Sequence, residues 1–334
     1  MKVFIHYKPR NDFDAFEGTR LRKTLKGACE VVDVSWVDSP QDEVSVAHFI
    51  SPSDYLSLRL MKEKGVPTVV SAFYAEDDPN ASFLVSGKTL RLSKAGRRLL
   101  EEADLILVPD ERMKKFAIDS GVTTPIKVLE PAVRMNRFSK TAAEKKIFRR
   151  YFSVPPEEKI VVATGSYNDA KTINLIKTIA NACPSFEFYF FGAHGKFDFL
   201  AMGKRLARLR RPDNLHFKDI VQDDVYRSAL MNSTAYISND SVRPDPIAPI
   251  EAFASQTQVV AFNSARPNPI LVEKESCFFF SDAAEMARYL TSLSQGIAPT
   301  TVESAYAIAK AHNLISYGKQ LKGYYEALAS GEYR

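Results

Sequence analysis

The stretch Asp240-Ser-Val-Arg-Pro-Asp-Pro-Ile-Ala-Pro-Ile-Glu-Ala-Phe-Ala-Ser255, with the apolar run Gln258-Val-Val-Ala-Phe262 just beyond it, sets the reading of the whole chain. It passes from a strand end through a proline-rich loop into a short apolar helix with a carboxylate on its first turn, then into another strand. In an open α/β sheet, ligands bind beyond the carboxyl ends of the strands, where loops enter helices. Helix N-termini at that edge present backbone N–H groups to anions. Ile250 and Glu251 therefore stand where a diphosphate-bearing ligand would be held. An exposed, helix-favouring glutamate at an N-terminus has the same local sequence, so the surrounding chain has to decide between the two.

Outward from this stretch, apolar runs of strand length alternate with helical patterns. In the first half, Val3–His6, Glu30–Val34, Val46–Ile50, Thr68–Phe73, Asp104–Val108 and Ile126–Leu129 read as strands. A helix starting near Glu17-Gly18-Thr19, one over Asp54–Lys64, a basic one over Lys88–Glu102 and one over Glu111–Ser120 lie between them. Beyond Pro131 the apolar rhythm breaks, and Ser139–Lys146 is polar and charged. The rhythm resumes at Lys159–Ala163 and runs through Ala170–Ala182, Glu187–Phe191, Phe199–Leu209 and Leu215–Lys218 to the Glu251 helix and the strands after it. Repeated βα units predict an α/β protein with two doubly wound parallel-sheet domains, 1–140 and 141–312, whose facing strand ends form a cleft.

Composition sets bounds on function. The chain has 334 residues, 45% of them hydrophobic and 25% charged, with a net charge of +5, as for an ordinary globular protein. Cys29, Cys183 and Cys277 are far apart and follow no metal-ligand spacing, which predicts buried thiols in a reducing compartment. Met1-Lys-Val-Phe-Ile-His-Tyr7 reads as a short strand and not as a secretory leader, and no apolar run approaches a membrane span. A cytoplasmic protein is the expectation. No hydrolase motif is present, and the five histidines show no ligand spacing, so no metal is expected. Asp77-Asp78 has carboxylates that could bind a metal, but ahead of Pro79-Asn80 the pair reads first as turn chemistry. Basic residues cluster at Arg20–Lys26, Lys88–Arg98, Lys145–Arg150 and Lys204–Arg211. In Lys88–Leu100 the charges alternate with leucines. That pattern fits an interfacial helix on anionic lipid, and equally a solvated helix whose leucines pack into the first domain. No nucleic-acid module is recognisable, so no nucleic-acid partner is expected.

Two further strand exits carry candidate ligand groups. In Ala163-Thr-Gly-Ser-Tyr-Asn-Asp-Ala-Lys-Thr172, Gly165 permits close backbone approach, and Lys171 can reach a phosphate as a point charge. In Phe191-Gly-Ala-His-Gly195, Gly192 and His194 occupy a second glycine-rich exit. Neither loop is a Walker A or GxGxxG fingerprint.

With these segments in place, the chain resembles the GT-B glycosyltransferases of family 4, retaining enzymes that use nucleotide-sugars. Leu100-Glu-Glu-Ala-Asp-Leu-Ile-Leu-Val-Pro109 is similar to the family's "ADxVI" strand. Ile126–Phe138 is similar to its exit to the linker, and Ala252–Phe262 to its "E-A-x-A-x-G-x-P-V-V-A" segment. The final helix, Leu314–Ala329, resembles the one that returns to the first domain, which would add residues 313–334 to it. Ala72-Phe-Tyr-Ala-Glu-Asp-Asp-Pro-Asn-Ala-Ser-Phe83 looks most like the bacterial enzymes that add a second sugar to glucosyl-diacylglycerol, peripheral proteins of the inner membrane face.

The resemblance implies a donor site in the second domain built from Gly165, Ser166, Lys171, Gly192, His194, Ile250 and Glu251. Glu251 would hold the ribose and Lys171 the diphosphate of a UDP-sugar. Arg243 and Asp245 would be the catalytic groups, and Glu17, Gly18, Phe73 and Glu76 would lie on the acceptor side. It implies no cofactor and no metal. A nucleotide-sugar, a glycolipid or glycan acceptor, an anionic membrane surface and a sister glycosyltransferase subunit are the partners it suggests. The sequence departs from the family at three places: Arg243 replaces the first of two donor-site carboxylates, Ser166 an arginine, and Phe73 a histidine. A catalytically degenerate binding subunit is therefore the alternative.

Overall fold

Parallel strands buried on both faces need near-continuous apolar sequence, and helices crossing between them need caps at their entry. The structure, a computed structural model, describes residues 1–8, 12–39, 43–50, 54–72, 85–86, 91–92, 94–138, 142–167, 169–193, 201–238, 247–263 and 268–333. The chain divides into two compact units. One is Met1–Arg134 with His312–Arg334, and the other is Met135–Ala311.

In the first unit the elements are β1 (Lys2–Tyr7), α1 (Asp12–Val31), β2 (Ser35–Val37), β3 (Val46–Ile50), α2 (Tyr55–Glu63), β4 (Thr68–Ser71), β5 (Val85–Ser86), β6 (Arg91–Leu92), α3 (Lys94–Glu101), β7 (Leu105–Val108), α4 (Glu111–Asp119) and β8 (Ile126–Val128). Six of the strands form one parallel sheet in the order β2-β1-β3-β4-β7-β8, and β5 pairs antiparallel with β6. The second unit opens with a 3-10 turn (Met135–Phe138). It continues through α5 (Ala142–Phe152), β9 (Lys159–Ser166), α6 (Ala170–Ala182), β10 (Phe186–Ala193), α7 (Met202–Arg208), β11 (Leu215–Asp219), α8 (Asp223–Asn232), β12 (Ser233–Ser238), α9 (Ala248–Ala254), β13 (Gln258–Phe262), β14 (Phe278–Phe280), α10 (Ala283–Ser294) and α11 (Val302–Ala311). Its sheet is parallel throughout, in the order β11-β10-β9-β12-β13-β14. The last helix, α12 (Leu314–Ala329), belongs to the first unit.

Acidic and amide side chains fix several helix starts. Asp54, Asp110, Asp169 and Asp282 accept from the backbone amide three residues on, in α2, α4, α6 and α10. Asn313 accepts from the amides of Ile315 and Ser316 at the start of α12. None of the three cysteines forms a disulfide and all are buried; burial pushes the Cys29 thiol up to about 12 and the Cys183 thiol to about 11, so neither of these two is a ready nucleophile.

Three sequence expectations are corrected. Glu30–Val34 is not a strand: α1 runs to Val31 because Leu21, Leu25, Ala28 and Cys29 keep a helical burial period, and β2 starts only at Ser35. The helix ends where Asp33 takes a left-handed conformation (φ 54°), which lets the Val34 amide donate back to the Cys29 carbonyl at 2.9 Å. The same helix begins at Asp12, ahead of Glu17. The basic segment Lys88–Glu102 is not one helix: Arg91 and Leu92 pair as strand with Ser86 and Val85, and α3 covers Lys94–Glu101. Its Leu92 and Leu100 are buried in the core of the first unit, so these two leucines face inward and not toward a lipid surface.

Helix α12 is attached to this unit by close packing and by a buried polar triad. A Cβ added at Gly318 would stand 2.8 Å from the Ala28 carbonyl oxygen, so glycine is what lets α12 approach α1. His48, on β3, is fully buried. Its Nδ1 lies 2.6 Å from the Tyr325 hydroxyl and its Nε2 2.8 Å from the Ser71 hydroxyl. Burial drives the His48 imidazole from 6.5 down to about 3, so it stays neutral in the fold. As pH falls below 6.5 the unfolded chain takes up a proton here that the folded unit refuses until about pH 3. Stability is therefore lost on acidification across that window, at up to about 1.4 kcal/mol per pH unit from this group. In urea titrations Tyr325→Phe should cost about 1–3 kcal/mol at neutral pH, because it leaves one imidazole nitrogen unpaired. His48→Asn should flatten the acid-side slope, and an unchanged slope would remove His48 as its source.

Candidate functional site at the strand switch points

Each sheet reverses its strand order once, and ligands bind at that reversal in doubly wound folds. In the second unit β9 leads through α6 to β10 on one side, while β12 and β13 continue on the other, so the reversal lies between β9 and β12. The Thr164 and Tyr236 hydroxyls hydrogen-bond across this pair at 2.8 Å. Gly165 and Ser166 are the last two residues of β9. Lys171 is the second residue of α6 and its side chain is exposed. Glu251 lies on the first turn of α9, the helix that follows β12, and is only 7% exposed. It is thus not the exposed glutamate that the local sequence also allows. Burying a carboxylate costs several kcal/mol unless polar groups receive it, so a position that keeps one buried near the strand reversal is a specialised one.

Other sequence candidates take different places. Ile250 is fully buried, so its side chain serves the core. Gly192 pairs in register with Gly165, and a Cβ there would meet the Tyr167 ring at 2.5 Å; the Tyr167 hydroxyl donates to the Lys218 carbonyl at 2.7 Å. Packing of Tyr167 therefore accounts for Gly192. At Gly165 an added Cβ would stand 3.0 Å from the Phe190 ring. Ser166 is buried. Gly18, on α1, is buried against the Tyr7 ring, and Glu17 precedes it on the same helix. Phe73, Glu76, His194, Arg243 and Asp245 lie outside the described residues.

In the first unit the order reverses between β1 and β3, and a histidine–carboxylate pair that the sequence reading passed over spans the reversal. His6, near the carboxyl end of β1, places Nε2 3.0 Å from Oδ2 of Asp54, just beyond β3. A carboxylate only accepts, so Nε2 donates the proton in this contact. The Lys8 Nζ stands 3.9 Å from the same oxygen. Burial pushes the Asp54 carboxyl up. The Ser57 hydroxyl and amide, His6 and Lys8 together outweigh it and hold the carboxyl below its usual range. Such a pair orients an imidazole toward a ligand hydroxyl. A histidine at a strand's carboxyl end was visible in the sequence. Its partner 48 positions away was not, because only the β1–β3 pairing brings the two together. Among the described residues no group of three or more His, Cys, Asp or Glu side chains could hold a metal ion, and no helix is long and apolar enough to cross a membrane.

No family model matches the sequence. The chain is 21% identical over 304 residues to a processive diacylglycerol alpha-glucosyltransferase of Acholeplasma laidlawii, covering 90% of each protein. Among solved structures it superposes on Anabaena HepE in complex with UDP-glucose with a TM-score of 0.69 at 14% identity, covering 98% of this chain and 100% of that one. A sucrose-phosphate synthase from Thermosynechococcus elongatus gives a TM-score of 0.67 at 13% identity and covers 99% of both chains. The fold is GT-B. At these identities the likeness establishes how the GT-B chain is laid out, and the chemistry has to be argued from its own residues.

Asp54 has two separable jobs in its GT-B lobe, capping α2 and receiving His6. Asp54→Ala should cost about 1 kcal/mol of stability through the lost cap, whereas Asp54→Asn, an equally good cap, should cost less than about 0.5 kcal/mol. Equal losses in urea unfolding would show that the charge, not the cap, supports the fold.

Proposed function

We propose that the chain is a glycosyltransferase that moves a hexose from a nucleotide-sugar to a glycolipid or glycan acceptor with retention of configuration. The observation that carries this reading is Glu251, a carboxylate kept almost wholly buried at the strand reversal of the second unit, as a fixed acceptor for vicinal hydroxyls such as those of a ribose. Lys171, exposed at the start of α6 beside the same reversal, supplies a mobile positive charge for a diphosphate. Arg243 and Asp245 lie between β12 and α9 in the sequence, and Arg243 would stabilise the nucleotide as negative charge develops on it. Retention then requires no protein nucleophile, because the leaving phosphate takes the acceptor hydroxyl's proton. Lysine and arginine suffice to neutralise the phosphates, so the reaction needs neither metal nor cofactor.

The first unit would hold the acceptor, with His6 meeting one of its hydroxyls; the resemblance assigns Glu17, Gly18, Phe73 and Glu76 to the same role. Two likenesses support the choice of substrates: the Acholeplasma relative acts by name on diacylglycerol, and HepE was solved with UDP-glucose. UDP-glucose is therefore the donor to test first, and glucosyl-diacylglycerol at the inner membrane face the acceptor. The rival reading, a catalytically degenerate subunit that partners an active enzyme, draws on Phe73, Ser166 and Arg243 standing where the resembled family has other residues.

Calorimetry with UDP should show binding. Lys171→Ala should weaken it about tenfold, the worth of one charge-assisted contact. Glu251→Gln should weaken it at least as much while leaving the thermal midpoint near that of the parent. Transfer of labelled glucose to glucosyl-diacylglycerol, with the anomer of the product read by NMR, tests the rest. UDP binding without turnover on any acceptor would favour the subunit, and no UDP binding would remove the donor site.

A further inference from the structure

We infer that Arg137, Asp223 and Arg227 form a latch that fixes the position of α9 and, through it, the buried carboxylate of Glu251. The inference rests on the donor-site reading above and adds positioning residues to it. Helix α9 spans seven residues, all of them buried, and opens at Ile247 without a side-chain cap. A helix of two turns does not hold itself in place, so its neighbours decide where Glu251 stands. Those neighbours are β12, β13, α8, α11 and the 3-10 turn Met135–Phe138, with which the chain enters the second unit.

Among them α8 is a fixed post. The Ser228 hydroxyl accepts from the Phe148 amide at 2.9 Å, and the Asn232 side-chain amide donates to the Lys145 carbonyl at 2.8 Å, which ties α8 to α5. The buried Tyr226 ring stands edge-on to Phe191 at 5.9 Å. The chain leaving α9 is bound to the same post, the Thr257 hydroxyl donating to the Leu230 carbonyl at 2.7 Å. The latch brings the 3-10 turn to this post as well. Arg137 Nη2 donates to Oδ2 of Asp223, on the first turn of α8. Arg227, one turn further on, donates through Nη1 to the Arg137 carbonyl, and its Nε stands 3.4 Å from the same Asp223 oxygen. Side chain and backbone of one turn residue are thus both gripped, and Phe138 beside it is buried. Asp223 is not spent on capping, because α8 opens at Gln222 without a side-chain cap. The Asp223 and Arg227 side chains are only 17% and 12% exposed. Charges so sheltered are weakly screened, and removing one leaves its partner buried without a counter-charge. Loss of the latch frees the turn from α8, and α9, which packs on both, loses its defined seat.

Two measurements on the full chain test the latch. Hydrogen exchange read by mass spectrometry needs no ligand: Arg137→Ala should speed exchange in residues 247–255 at least about tenfold and leave α6 unchanged. Calorimetry with UDP reads the consequence for the donor site. Arg137→Ala should weaken UDP binding about tenfold, and Arg137→Lys, which keeps the charge, should stay within about threefold of the parent. Because the latch acts through Glu251, the loss from Arg137→Ala should shrink below about twofold in a Glu251→Gln background and persist in full in a Lys171→Ala background. Asp223→Asn should reproduce the pattern, and it takes the place of Arg137→Ala if that variant does not fold. Unchanged exchange in residues 247–255, equal losses in the two backgrounds, or no rescue by Arg137→Lys would overturn the latch. A parent that binds no UDP would remove the donor reading instead, and the exchange measurement would then decide the latch by itself.

Discussion

Parallel neighbours in a sheet cannot be joined by a tight turn; each join has to cross a face of the sheet, and it does so right-handed. Everything functional in this chain depends on that constraint. A sheet that starts with an inner strand and builds first to one side must reverse to build on the other, and the reversal leaves two adjacent strand ends with their helices on opposite faces. The chain does this twice, between β1 and β3 and between β9 and β12. Polar groups gather at the reversals for that reason: backbone leaving in opposite directions opens space that apolar side chains do not fill. His6 with Asp54 and Thr164 with Tyr236 are both hydrogen bonds across a reversal.

Much of this was legible in the sequence. Ile160-Val-Val-Ala163 and Leu105-Ile-Leu-Val108 are apolar runs of strand length and became inner strands. Asp169 and Asp282 stand three residues ahead of the amides they cap. What failed was local pattern without knowledge of partners. Glu30–Val34 is β-branched enough for a strand, yet its position at the end of a twenty-residue helix decided the matter. The positions of Lys171 and Glu251 near strand ends could be read from the sequence, whereas the pairing of His6 with Asp54 could not, because it depends on strands meeting. Gly192 was found as a glycine for a reason the sequence could not show, since Tyr167 is what needs the room.

The same composition can carry opposite meanings. Leucines among basic residues occur in Lys88–Leu100 and again in Met202–Arg211. In the first, Leu92 and Leu100 close a core. In the second, Leu206 and Leu209 meet solvent. The difference lies in what covers each side: β6 is paired and α3 packs beside it, whereas α7 is held to its unit through Ala207 and Lys204. Long basic side chains can lie along apolar surface in either setting, so charge alone does not reveal which face is free.

The return of α12 has a consequence for biosynthesis. His48 waits for a hydroxyl 277 positions further along, so the first unit begins to form early in translation but is completed only by a helix that follows the entire second unit. The second unit is contiguous and can close as it leaves the ribosome; the first cannot. A chain cut short after α11 would carry a finished insert inside an unfinished host, with an unsealed apolar groove along α1 that chaperones or proteases can recognise. Helix α12 thus seals the first unit only after the second has been made.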